Sequence, residues 1–315
     1  MSQNFGDVWR TVRLYVPAAP TFLVREWVNV AYKRLARLRH WTFLRGETRL
    51  TIAAARAITA CVVTTGSTSV TSAGLFLAGD AGRQFRVGSF PVYTIASVTD
   101  VNTIVLDTAY GETSSATAVG EVFDGLATLP ADFESFRLVA DPYNQRRLPF
   151  WITEDQLNVL DPTRQVGDSG PRALVAHAPS TLASTLGRVQ YTYWPRPSAA
   201  RSYPALYNKQ AARLDDTSVF SGVLADAAEV LTDGALAEAA RWPGTSDLKN
   251  PYFDQGTAQA KQAAFLEGVQ RLSLRDDDQA PDDLATVHWE RWPLAEISFS
   301  DQSLRASDAT VLDLY

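Results

Sequence analysis

The sequence predicts an α+β protein: a helical core drawn from the N- and C-terminal parts, an inserted small β-barrel or sandwich domain, and an extended C-terminal arm. Three observations carry this. Apolar residues recur at spacings of three and four near both ends of the chain, the period of a buried helix face. Residues 62–123 are rich in Val, Thr, Ser and Gly and alternate apolar with polar in short runs, the pattern of short strands. The last forty residues keep no period while carrying large apolar side chains among acids. The implied divisions are 1–60, 61–125, 126–275 and 276–315.

Each element has a local reason. Pro20-Thr21 opens a helix running to about Arg39, with Thr21 as its expected N-cap. Val24, Trp27, Val28, Ala31, Leu35 and Leu38 make its apolar stripe, and Arg37 and Arg39 suit the negative end of the helix dipole. His40–Leu44 reads as a short strand or packed turn. In the β segment, Val62–Thr65 and Ser67–Thr71 flank Gly66 as a hairpin, and further strands are expected at Arg83–Val87, Tyr93–Val98, Thr103–Asp107 and Val119–Phe123. Thr153-Glu154-Asp155-Gln156 is a capping box heading a short helix. Arg188–Trp194 reads as a strand closed by Pro195 and Pro197. Ala225–Trp242 is an alanine-rich helix stopped by Pro243-Gly244. Asn250-Pro251 reads as the cap and first residue of a second helix, ending near Leu272.

Charge is unevenly spread. The chain of 315 residues has a net charge of −6. Residues 1–49 hold nine basic and three acidic residues, a balance of +6, whereas 276–315 hold two basic and ten acidic, a balance of −8. The ends therefore attract each other within one copy or between copies, over a range of ~8–10 Å at physiological salt. In the arm, Trp289, Trp292, Phe299, Leu312 and Tyr315 are the expected anchors on a partner or neighbouring subunit. The alternative is an arm wrapped over its own domain. The acidic run 276–283 reads as a solvated, flexible linker.

Chemistry-bearing patterns are sparse. There is no phosphate-binding glycine loop and no Gly-x-Ser-x-Gly elbow. His40, His177 and His288 lie far apart, and Cys61 has no cysteine partner, so the expectation is no metal and no cofactor. Asp215-Asp216, Asp276–Asp278 and Asp282-Asp283 are sequence neighbours, which does not supply two carboxylates across a cleft. Asp215-Asp216 suits a helix start. Trp194, Tyr203 and Tyr207 could form a sugar-binding platform, although packing is the commoner use of aromatics. No apolar run approaches the ~20 residues of a membrane span, and no signal peptide or membrane anchor is expected.

Several short motifs together resemble the head-to-tail adaptor (head completion, or tail tubular) proteins of short-tailed bacteriophages. They are Tyr193-Trp194-Pro195, Tyr203-Pro204-Ala205-Leu206-Tyr207, Asp215–Phe220 and Val230–Ala239, with Asn250-Pro251-Tyr252-Phe253 opening the second helix. The helix Thr21–Arg39 followed by Trp41 and Phe43, and Leu129-Pro130-Ala131-Asp132-Phe133, also fit. The resemblance covers about 1–50 and 126–272, and residues 62–123 look like an insertion that smaller members lack. It implies a structural virion protein without enzymatic activity. Twelve copies would form a ring between the phage portal protein and the tail nozzle protein, located at the head–tail interface of the virion and assembled in the host cytoplasm. Genomic DNA would pass through the lumen without sequence-specific contact, and an acidic lumen suits sliding because phosphate-binding cations hold DNA. The competing reading is a carbohydrate-binding or receptor-binding tail protein.

Overall fold

The computed structural model describes residues 4–88, 91–150, 152–161, 166–177, 189–244 and 249–279. In chain order, the first half holds α1 (Phe5–Tyr15), α2 (Thr21–Leu38), β1 (Arg45–Ile52), β2 (Arg56–Val63), β3 (Ser69–Thr71), β4 (Gln84–Val87), β5 (Val92–Asp100), β6 (Thr103–Leu106) and β7 (Ser115–Phe123). There follow β8 (Phe133–Asp141), β9 (Arg146–Arg147), β10 (Ile152–Thr153), α3 (Glu154–Leu160), β11 (Gly167–Asp168), β12 (Ala173–His177), β13 (Gln190–Trp194), β14 (Arg196–Pro197) and β15 (Arg201–Lys209). The helices α4 (Ala228–Arg241) and α5 (Gln255–Gln279) complete the described chain. The fold is α+β and contains a closed six-stranded barrel. Among the described residues no helix is long and apolar enough to cross a membrane.

The chain forms two compact units. The first takes in Met1–Gly46, Asp132–Ser135 and the chain from Tyr207 onward; the second takes in Glu47–Ala131 and Phe136–Leu206.

In the first unit, α1, α2, α4 and α5 share one apolar core. No helix is expected from sequence at α1. It forms because the Asn4 side chain accepts the Asp7 N–H at 2.9 Å while Asp7 accepts the Asn4 N–H at 3.3 Å, a reciprocal cap, and because Phe5, Val8 and Val12 fall on one buried face. Thr21 is not the cap of α2: Pro20 holds that position without a side-chain bond, and its carbonyl accepts the N–H groups of Leu23 and Val24. The α2 stripe is buried from Val24 to Leu35, but Leu38 is exposed. Helix α4 packs closely because Gly234 leaves room: a Cβ there would lie 2.7 Å from Phe265 and 2.9 Å from Ala31.

The start of α5 also differs from the expectation. Asn250 does not cap it; its side-chain amide donates to the carbonyls of Ala239 and Trp242, both at 2.7 Å, and so closes the end of α4. The cap of α5 is Asp254, which accepts the N–H groups of Gly256 and Thr257, each at 3.1 Å. Pro251 therefore lies before the helix, in a turn. Asp215 and Asp216 likewise sit in a turn well ahead of α4.

In the second unit the barrel runs β2-β3-β6-β5-β4-β7 and closes back onto β2, all antiparallel. Its first strand begins at Arg56, ahead of the Val62–Thr65 strand expected from sequence. Val62 pairs with Thr71 across the expected hairpin, where Gly66 takes φ +79°, a backbone state that favours glycine. Ile58, Val70, Phe76, Phe85, Ile95 and Ile104 fill the interior. Closure removes the free strand edges that would template pairing. This unit also holds sheets in the orders β10-β12-β13 and β11-β14, the chain further forms a sheet in the order β1-β15-β8-β9, and α3 has the expected Thr153–Gln156 capping box.

Candidate functional site: the root of the C-terminal segment

The five anchors expected from sequence, Trp289, Trp292, Phe299, Leu312 and Tyr315, lie outside the described residues, as do His288 and Asp282-Asp283. The place from which that segment departs is described in detail, and it is built rather than loose. Helix α5 does not stop near Leu272. Phe265, Val269 and Leu272 continue a buried stripe, and the next position on that face is Asp276, only 1% exposed. The solvated linker expected from Asp276 onward is therefore helix through Gln279.

Asp276 is held by the segment that follows α2. Its carboxylate accepts the Thr42 backbone N–H at 3.2 Å and also the Thr42 hydroxyl. The Arg39 guanidinium lies 3.9 Å away. Arg39 also donates to the Ser273 carbonyl at 3.1 Å and pairs with Asp277, and its guanidinium stands 5.3 Å from the centre of the Trp41 ring. Trp41 is fully buried and donates its indole N–H to the Leu35 carbonyl at 2.8 Å. Thus the "packed turn" alternative at His40–Leu44 is the one that forms, as a 3₁₀ turn over Thr42–Leu44. The hydrogen bond from Arg39 holds the Asp277 carboxyl below the usual range, with the positive charges of Arg39 and Arg45 acting in the same direction against the opposing effect of desolvation. A buried carboxylate satisfied by several donors is a fixed point. Here it fastens the last turn of α5 beside the C-terminal end of α2.

A second interlock joins the N-terminal helices to the 214–219 segment. Asp216 accepts the Trp9 indole N–H at 2.9 Å and pairs with Arg25. Buried Asn29 exchanges hydrogen bonds with Leu214, donating at 3.2 Å and accepting at 2.7 Å. Asp215 is a local cap: it accepts from the Thr217 N–H at 2.9 Å and from the hydroxyls of Thr217 and Ser218 at 2.6 and 3.0 Å. Those bonds depress its pKa. Neighbouring α1, α4 and α5 leave an open cleft of ≈ 400 Å³ lined by Asp7, Tyr15, Glu229, Asp233 and Lys261, with Lys261 and Asp233 paired at 2.8 Å.

The second unit contains a hydroxyl–imidazole–carboxylate line. Thr192 Oγ1 lies 2.5 Å from His177 Nε2, and His177 Nδ1 lies 3.1 Å from Glu154. That order matches nucleophile, base and orienting acid. However, the N–H following the hydroxyl residue, which commonly supplies half of an oxyanion hole, belongs to Tyr193 and already donates to Gly125 at 2.9 Å. The line fastens α3 and β13 to β12. The aromatic platform does not form either: Tyr203 and Tyr207 are buried, and Trp194 donates to Asp161 at 3.3 Å. Cys61 is buried in the barrel core, and burial raises its thiol pKa while a backbone bond from Gly120 opposes the shift.

A scan against protein-family models gives no match to this chain, and a search of curated proteins gives none.

Sequence reasoning missed Arg39, Thr42 and Asp276 as a unit. The one available signal was the continuing period Phe265, Val269, Leu272, Asp276; a carboxylate at the next core position looks like the end of a stripe, not a member of it.

Proposed function

We propose that this chain is a structural head-to-tail adaptor of a tailed bacteriophage, twelve copies forming a ring that joins the portal to the tail nozzle at the head–tail interface. In this reading residues 1–60 and 126–275 make the adaptor core, the barrel is an inserted domain, and the chain from 276 onward, helical through Gln279, is the arm. The observation that carries it is α4. The stretch Val230–Ala239, whose residues bear the resemblance to adaptor proteins, forms a buried helix whose Gly234 gives close approach to Ala31 and Phe265. The motif is thus the packing element that unites N- and C-terminal helices, a role that demands small residues at those positions. The Asp276 interlock supports the same reading, because an arm presents its anchors to a partner best from a fixed root.

The arm binds the portal or a neighbouring subunit through Trp289, Trp292, Phe299, Leu312 and Tyr315. Interface energy concentrates in a few buried aromatic residues, each costing about 2 kcal/mol or more when truncated. The test is binding of the purified chain to portal rings, followed by sedimentation and electron microscopy. Rings of twelve seated on the portal are expected, and Trp289→Ala with Trp292→Ala should weaken binding at least tenfold. A chain that neither forms rings nor binds portal, yet binds glycans on an array, would replace this reading with the carbohydrate-binding one.

A further inference from the structure

The corner between α1 and α2 exposes three large apolar side chains within nine residues. Leu14 is 81% exposed, Tyr15 62% and Phe22 66%. The backbone beneath them is fixed: Val16 and Ala19 are buried, and Ala18 N–H donates to the Tyr252 hydroxyl at 3.0 Å. The exposure therefore belongs to an ordered surface, and ordered apolar patches of this kind mark interaction sites.

From Phe22 an exposed face runs along α2. Phe22, Glu26, Val30, Lys33 and Arg37 follow at spacings of four, four, three and four, so they share one face. Val30 is 43% exposed, and Lys33 and Arg37 are exposed. Glu26 is neutralised by Arg213. Among the described residues no ion pair engages Arg13, Lys33 or Arg37, whereas Arg25, Arg34 and Arg39 of the same helix and its end are all paired. The face is apolar and cationic.

Residues 280–315 have the complementary composition. They carry seven acidic and two basic residues, with Trp289 and Trp292 near their start. Their point of departure is fixed too, since Asp276 and Asp277 fasten α5 beside the C-terminal end of α2. Phe22 lies ~22 Å from Arg37 along the helix axis at 1.5 Å per residue. The ten residues from Ala280 to Trp289 span at most ~33 Å, enough to carry both tryptophans to the corner. A tethered segment acts at a local concentration in the ~mM range, far above that of a second copy in dilute solution.

We infer that the exposed face of α2 and the Leu14–Phe22 corner are the docking surface for the C-terminal segment of the same molecule, with Trp289 and Trp292 on Leu14 and Phe22 and the acidic residues along Lys33 and Arg37. This does not depend on the adaptor reading, in which a portal competes for the same segment.

The test uses the full chain alone. Amide hydrogen exchange of residues 286–300 is compared between the unaltered protein and Leu14→Ser/Phe22→Ser, two exposed positions whose change leaves the core intact. Exchange at least ~10-fold slower than for an unstructured peptide is expected in the unaltered protein, independent of protein concentration. In the double variant it should return to the peptide rate, and Lys33→Glu/Arg37→Glu should give an intermediate loss. Peptide-rate exchange in the unaltered chain, protection that survives the double variant, or protection that appears only as concentration rises would each overturn the inference.

Discussion

Asp276, near the end of α5, accepts the backbone N–H of Thr42 at 3.2 Å across 234 positions of sequence. A hydrogen bond to a buried charged group contributes about 1.5–3 kcal/mol, and the donor left behind carries its own desolvation cost. Asp276→Ala should therefore destabilise the chain by about 3 kcal/mol. Asp276→Asn, which keeps one acceptor oxygen, should cost less. Urea denaturation followed by circular dichroism measures both, and a loss below experimental error in the alanine variant would show that the contact is incidental.

Acid should loosen the helical unit at three places. The carboxyls of Asp215, Asp254 and Asp277 are all held below their ordinary range: the first two by hydroxyl and backbone donors, the third by Arg39. Groups whose folded pKa is depressed contribute stability that is present above the unfolded value of about 3.9 and lost as pH falls through the folded value. From these groups, stability should hold between pH 7 and 5 and decline below about pH 4. Asp254→Asn should be less stable at pH 7 and flatter below pH 4, as read from denaturant midpoints at each pH.

Gly234 is a test of the helical packing. Alanine is favoured over glycine inside a helix by about 1 kcal/mol, so an unhindered site would be stabilised. Here the added Cβ meets Phe265, which is fully buried, and Ala31 at under 3.0 Å. Overpacking of that kind costs about 1–3 kcal/mol, so Gly234→Ala should be neutral to destabilising and Gly234→Val clearly destabilising. A rise in melting temperature for the valine variant would contradict the packing described.

The barrel has an equivalent position. A Cβ at Gly120 would stand 2.5 Å from the Phe85 ring and 3.1 Å from Cys61 Sγ. Gly120→Ala should destabilise the protein by about 1–3 kcal/mol and make the Cys61 thiol, now buried, react measurably faster with a thiol reagent. Unchanged thiol reactivity together with an unchanged melting point would argue against this interior.

Much of the local structure could be read from the chain. The helix α2 and the strands β5 and β6 announce themselves by period, since a buried face alternates with a more exposed one, whereas α4, buried on most sides, is read from its alanine-rich run and the Pro243-Gly244 stop. The capping box of α3 is written in four residues. Other features misled. Asn250 looks like an N-cap because its side chain does bond backbone groups, yet the groups it reaches belong to the helix before it. Helix α1 is hard to read from sequence because its signal rests on a single turn, Asn4 to Asp7, and three apolar positions.

By itself, then, the sequence determined element type wherever hydrophobic period and turn chemistry agree, because those depend on neighbours within four residues. It also determined the opposite charges at the two ends of the chain. Only the tertiary structure decided which aspartates are structural. Asp276 belongs to a run of three acids that reads as solvated chain, and its partner Thr42 is set beside it by the packing of α5 against the rest of the helical unit. Tertiary structure likewise turned Tyr203 and Tyr207 inward and left Leu14 and Phe22 facing out. Burial is a property of the assembled surfaces, and no window of sequence contains it.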